Sequence, residues 1–297
     1  YLRYWGGVER SRALDVLLMF PSPPPTLSAT LWELALGPGK LDRPRAQAAL
    51  ERAVDRTPKT VRALESKKAE TRAIAAEWLG RQAIEPLTRA IDSEVNENAR
   101  GAMLTALELL GAPIEPYVNR EALQREARTG LASSDKSRRA LAWFPFGDLP
   151  RVRWDDTGKT VPAAVLEWLL LQSHKLATPD PGALLRRHTA AFRTSDRQAL
   201  GGFILERWIA QDLSGAAAIA GRGILAIPAA GCDGSLVPSV SRYVRQNYGL
   251  RMPQCKALLQ MLAWIDDPSV VQLLVSIATR FRTKGIQTEA ERLLEVM

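Results

Sequence analysis

The 297-residue sequence predicts an all-α fold, and three observations carry that prediction. The first is a recurrence. Ala83-Ile84-Glu85-Pro86-Leu87 and Pro113-Ile114-Glu115-Pro116-Tyr117 place one Ile-Glu-Pro tripeptide thirty positions apart, each after a Leu-Gly step at Leu79-Gly80 and Leu110-Gly111. A helix, a Gly stop and a Pro start are thereby written twice. Such a period marks a helical repeat, whose units hide their apolar faces only against their neighbours. The second observation is a later correspondence: Asp233…Leu236…Val240…Tyr243 matches Asp267…Val270…Leu274…Ile277 with a shift of 34 throughout. The third is a helix-opening dipeptide used three times, at Thr57-Pro58, Asp180-Pro181 and Asp267-Pro268. Thr or Asp accepts from the free N–H groups of a first turn, and Pro at the first helical position forfeits no hydrogen bond. Together these predict a HEAT-like α-solenoid, a right-handed superhelix of helix pairs, with a short non-helical insertion.

The elements follow in chain order. Residues 8–20 and 27–36 read as two short helices. Pro21-Ser22-Pro23-Pro24-Pro25 separates them as a stiff connector, because proline fixes φ and lacks an N–H. Residues 43–55 form the next helix, with Ala46, Ala49, Leu50, Ala53 and Val54 on one stripe. Helices then fall at about 58–66, 70–79, 83–92 and 97–110, with Asn96 or Asn98 as the cap of the last. Ile74, Trp78 and Leu79, and then Met103, Leu107 and Leu110, supply inward stripes. Small residues, Ala73, Ala75, Ala76, Ala99 and Ala102, let helices approach closely. Residues 119–142 continue as one or two helices.

The pattern breaks at Trp143-Phe144-Pro145-Phe146-Gly147-Asp148-Leu149-Pro150, which two prolines and a glycine exclude from a helix interior. Val152 and Trp154 alternate with charges, and Asp155-Asp156-Thr157-Gly158 reads as a turn, so a short hairpin or extended loop is expected. The expected organisation is therefore an N-terminal lobe at 1–142, a linker or hairpin at 143–160, and a C-terminal lobe at 161–297. In the second lobe helices are expected at 161–173, 181–192, 195–212, 236–247, 252–264, 268–281 and 286–296. Ser195 and Gln198 have capping-box spacing.

Composition sets the class. The chain is 46% hydrophobic and 24% charged, which suits a folded globular protein and argues against disorder. No run of about eighteen apolar residues exists to span a membrane. The apolar stretch Leu14 to Phe20 is broken by Asp15 and lacks a cleavage site, so it does not read as a secretory signal. Cys232 and Cys255 are the only cysteines; they supply neither a disulfide framework nor zinc spacing, and a reducing cytoplasm is expected. The absence of an initiator Met reads as a piece of a longer polypeptide.

Candidate chemistry is sparse. Gly158-Lys159-Thr160 resembles the end of a phosphate-binding loop, but the required earlier glycine is Arg153 and no apolar strand precedes it, so a surface turn is preferred. Gly231-Cys232-Asp233-Gly234-Ser235 could present a nucleophile on a sharp turn. Its base would have to be His174 or His188, both distant in sequence, and a buried cysteine at a helix start is preferred. Asp155-Asp156 is read as a solvated pair rather than a cation site. No catalytic, cofactor or metal constellation is expected, and the chain is read as non-enzymatic.

The net charge of +8 leaves basic clusters as the remaining lead. Arg62, Lys67, Lys68, Arg138, Arg139, Arg186 and Arg187 would bind nucleic acid if they lined one concave face, and eight tryptophans could add stacking. Arg242, Arg245, Arg280, Arg282 and Lys284 follow later in the chain. Trp32, Trp78, Trp168, Trp208 and Trp264 instead lie on apolar helix stripes and are expected in the core.

The segment Leu149-Pro150…Asp156-Thr157-Gly158-Lys159-Thr160-Val161-Pro162, followed by the apolar helix Val161 to Leu171, resembles bacterial proteins of the molybdate-metabolism-regulator type. These carry a C-terminal DUF4132 domain, and some carry a WGR domain. The similarity continues through Asp196-Arg197-Gln198-Ala199-Leu200, Leu205-Glu206-Arg207-Trp208, Ala257-Leu258-Leu259 and Ala290-Glu291-Arg292-Leu293-Leu294. It covers about residues 140–297, and the front half matches as generic HEAT-like repeats. The resemblance implies a helical-repeat region upstream of a further domain and supplies no catalytic residues. The expected function is a scaffold that binds a protein or peptide partner, or other domains of the same polypeptide. The alternative is a nucleic-acid-binding module.

Overall fold

The structure is a computed structural model, and it describes residues 7–20, 23–79, 83–94, 96–132, 134–215 and 218–297. The regular elements among these residues are helices, seventeen of them α-helices. The chain divides into two compact units, Tyr1–Ile114 and Glu115–Met297.

The first unit holds α1 (Gly7–Leu17), α2 (Ser28–Ala35), α3 (Asp42–Leu50), α4 (Arg56–Ala63), α5 (Ala69–Trp78), α6 (Ile84–Ser93) and α7 (Glu97–Leu109). Helix α3 packs on α1 and α2, α4 on α5, and α7 on both α5 and α6. Leu14, Leu31, Trp32, Ala35, Ala46, Leu50 and Trp78 form one buried cluster. Ile74, Leu79, Met103 and Leu107 are buried as their spacing requires. Asn96 is the cap of α7, accepting from the Ala99 N–H at 3.1 Å; the Asn98 side chain and Gly80 lie outside the described residues. Gly111 stops α7 with φ +73°, a conformation that favours glycine.

The two Ile-Glu-Pro tripeptides are not equivalent. The first opens α6, whereas the second opens a single 3₁₀ turn, Glu115–Tyr117. Ile84 is 39% exposed and Ile114 only 1%. Equal residues recur here without equal packing. Nor do the X-Pro dipeptides all mark the cap. Helix α4 begins at Arg56, so Thr57 and Pro58 lie inside its first turn. Proline is tolerated throughout that turn because its N–H groups lack intrahelical partners.

The second unit holds α8 (Arg120–Leu131), α9 (Asp135–Ala140), α10 (Ala163–His174), α11 (Ala183–Ala190), α12 (Thr194–Leu213), α13 (Ala226–Gly231), α14 (Val237–Asn247), α15 (Met252–Leu262), α16 (Pro268–Arg280) and α17 (Lys284–Val296). Helix α11 has Gly182 at its N-cap, the residue immediately after the Asp180-Pro181 step. Asp267 does cap α16, accepting from the Ser269 N–H at 2.8 Å with Pro268 in the first turn. The Ser195–Gln198 capping box does not form: the Ser195 hydroxyl donates to Asp196, and the Gln198 amide to Asp233.

Residues 143–160 belong to this unit, so the division falls at Ile114 and Glu115 rather than at the expected linker. Phe144, Val152, Trp154 and Val161 are buried in the same core as α10 and α12. The hairpin itself is present in outline. Gly158, at φ +64°, turns the chain, and the Val161 N–H donates to the Val152 carbonyl at 2.8 Å. Isolated antiparallel bridges join Arg153 to Thr160 and Trp154 to Phe192.

An element absent from the sequence expectation occupies the centre of the second unit. The 3₁₀ segment Ala218–Leu225 runs into α13, and between them they touch α10, α11, α12 and α15. Ile224, Leu225 and Ala226 have no exposed surface. Gly223 permits the approach, since a Cβ there would lie 2.1 Å from the Ser173 carbonyl oxygen. The last four helices stack as two pairs: α14 meets α15 and α16, and α17 meets α15 and α16. Leu236, Val240, Tyr243, Val270, Leu274 and Ile277, which the 34-residue correspondence aligns, are all buried. Asp233 and Asp267 each cap the Ser N–H two residues on, and Asp267 also accepts from the Gly234 N–H at 3.1 Å.

Candidate functional site

The first unit carries the most exposed apolar run among the described residues. Helices α1 and α3 lie side by side, registered by Arg10 and Ser11 on Asp42 at 2.6 and 3.0 Å and by Arg45 on Asp15 at 2.7 Å. Their inward stripes bury Leu14, Ala46 and Leu50. Past the end of α1 the apolar side chains come to the surface. Met19 is 84% exposed and Phe20 56%, with Val16 and Leu18 also exposed. Leu18, Phe20, Ala48, Ala49, Glu51 and Arg52 line a groove of about 300 Å³. Contiguous exposed apolar surface of this kind marks contact sites more often than scattered single residues do.

The rim of the groove is electrically mixed. Glu51 pairs with Arg56 at 3.2 Å and accepts from the Trp78 Nε1–H at 3.3 Å. Trp78 in turn packs on Trp32, ring centroids 5.4 Å apart, with Arg56 and Lys59 over the two rings. This fixes Glu51 from behind, while Arg52 makes no ion pair among the described residues. Chemically the groove combines two alanines, Leu18 and the Phe20 ring with one charge of each sign, and more of its exposed lining is polar than apolar.

The seven basic residues named from the sequence divide between the units. Arg62, Lys67 and Lys68 are exposed around the α4–α5 turn of the first. In the second unit Arg138 is held by Glu167 at 2.6 Å, and Arg139 donates to the Asp135 carbonyl at 3.3 Å. Arg186 donates to the Pro181 carbonyl and lies over the Trp264 ring. Arg187, beside it, is exposed. Arg138 and Arg186 therefore already have structural partners. Four of the five tryptophans expected in the core are buried, but Trp264 is 46% exposed beneath Arg186.

Cys232 is packed rather than presented. Its sulfur lies 3.8 Å from the Gln198 carbonyl, and a Cβ on Gly201 would come within 2.1 Å of it. Burial, and secondarily the charge of Asp233, pushes the thiol up to about 12. The protein thus holds Cys232 as a neutral thiol at physiological pH. His174 sits at the end of α10, its pKa lowered by burial, and His188 is buried on α11. Asp156 pairs with Arg120 at 3.0 Å, and Gly158 serves the hairpin turn. Among the described residues no three His, Cys, Asp or Glu side chains are grouped to hold a metal ion, and no helix is long and apolar enough to cross a membrane.

One polar constellation escaped the sequence reading. Asp212 has no exposed surface. Its carboxylate accepts from the Tyr243 hydroxyl, from Arg251 at 2.7 Å and from Gln254 at 3.0 Å; Arg251 also donates to its carbonyl at 2.6 Å. Burial first, then the bond to Asp212, raises the Tyr243 hydroxyl well above the usual phenol range. Burial, then Asp212, pushes Cys255 up to about 12. The cluster ties the end of α12 to α14 and to the start of α15. Its signal was an acid on the buried stripe Leu205, Trp208, Asp212, at helical spacing.

No protein-family model matches this chain, nor does any curated protein or solved structure.

Proposed function

We propose that this chain is a non-enzymatic scaffold of HEAT-like helix pairs within a larger bacterial protein, and that it binds a protein or peptide segment. The observation that carries the reading is the exposed run Val16, Leu18, Met19 and Phe20 beside the Ala48–Ala49 groove. An apolar side chain seated there would remove surface from water at roughly 25 cal/mol per Å². The contacts of α14 with α15 and α16, and of α17 with α15 and α16, support the repeat reading.

A photo-crosslinking amino acid placed at Phe20 tests the reading in cells. A discrete polypeptide adduct, mapped by mass spectrometry and lost when Ala49→Arg fills the groove, is the expected result. Adduct formation at Phe20 no greater than from the same probe at Lys67 would overturn it.

A further inference from the structure

We draw no further inference here: the strongest candidate, the outer face of α16 where Val271 and Val275 are exposed with no charged residue between Pro268 and Thr279, carries nothing because nothing in the structure shows what covers it.

Discussion

Arg153 binds Asp196 at three points. Its guanidinium donates to both carboxylate oxygens at 2.7 and 2.8 Å, and its backbone N–H donates to one of them at 3.0 Å. This fastens the hairpin to the first turn of α12, and the Arg193 N–H bonded to the Arg153 carbonyl at 2.9 Å closes the same junction. The Asp196 carboxyl is consequently held at about 2, against 3.8 for a free aspartate, chiefly by the Arg153 side chain. A pKa depressed in the folded state stabilises the fold above the unfolded value, and that stability is lost as pH falls toward the folded one. Thermal unfolding followed by circular dichroism should therefore show the melting temperature falling between about pH 4 and pH 2. Asp196→Asn should melt lower at neutral pH and respond less across that window. An equally steep acid response in the variant would refute the assignment.

The Asp212 cluster predicts a larger effect at neutral pH. Asp212→Leu leaves Arg251, Gln254 and the Tyr243 hydroxyl without their shared acceptor. Breaking a buried ion pair from one side costs about 3 kcal/mol, largely as the penalty of the stranded charge. Urea titration should register that loss, and Asp212→Leu with Arg251→Met should recover a substantial part of it. Additive losses in the double variant would mean that the two groups do not act as a pair.

Thiol reactivity is predicted to be low. Both cysteines are held up to about 12, each chiefly by burial. At pH 8 an aromatic disulfide reagent should label neither residue in the native protein and both after unfolding in urea. Labelling of native Cys232 at the rate of a small model thiol would contradict the packing described and reopen a nucleophilic role.

The contact of Gly201 with Cys232 can be tested by overpacking. A methyl group at 201 would lie 2.1 Å from the sulfur and 3.1 Å from the Pro228 Cα. Gly201→Ala ordinarily gains about 1 kcal/mol of helix propensity, but here it should cost a net amount of about 1–3 kcal/mol. Combining it with Cys232→Ala removes the nearest atom and should restore most of the stability. Unchanged instability in the double variant would place the strain at Pro228 instead.

Helices such as α6 and α14 were legible because each has one apolar stripe and one wet face. Residues 97–110 differ from α7 by a single position. The segment Ala218–Gly231 was not legible for the opposite reason. Helices surround it, so its sequence carries no polar alternation to reveal a period. Two of the three X-Pro steps, Thr57-Pro58 and Asp180-Pro181, misled because proline signals the neighbourhood of a first turn without fixing the cap. The Asp212 cluster stayed hidden because its partners lie 31 to 42 positions further along. The apolar run at Leu18–Phe20 was visible as residues, but its exposure depends on what α2 and α3 leave uncovered.

The carboxylate of Asp267 does two jobs, capping its own helix and receiving the Gly234 N–H from the preceding pair. The residue standing where Gly234 stood, one period later, is Pro268. Proline has no hydrogen to give, so this latch runs in one direction and cannot be handed on. Tandem duplication of the final 34-residue block would therefore give a copy whose aspartate meets a proline, with no N–H to offer, in the block before it.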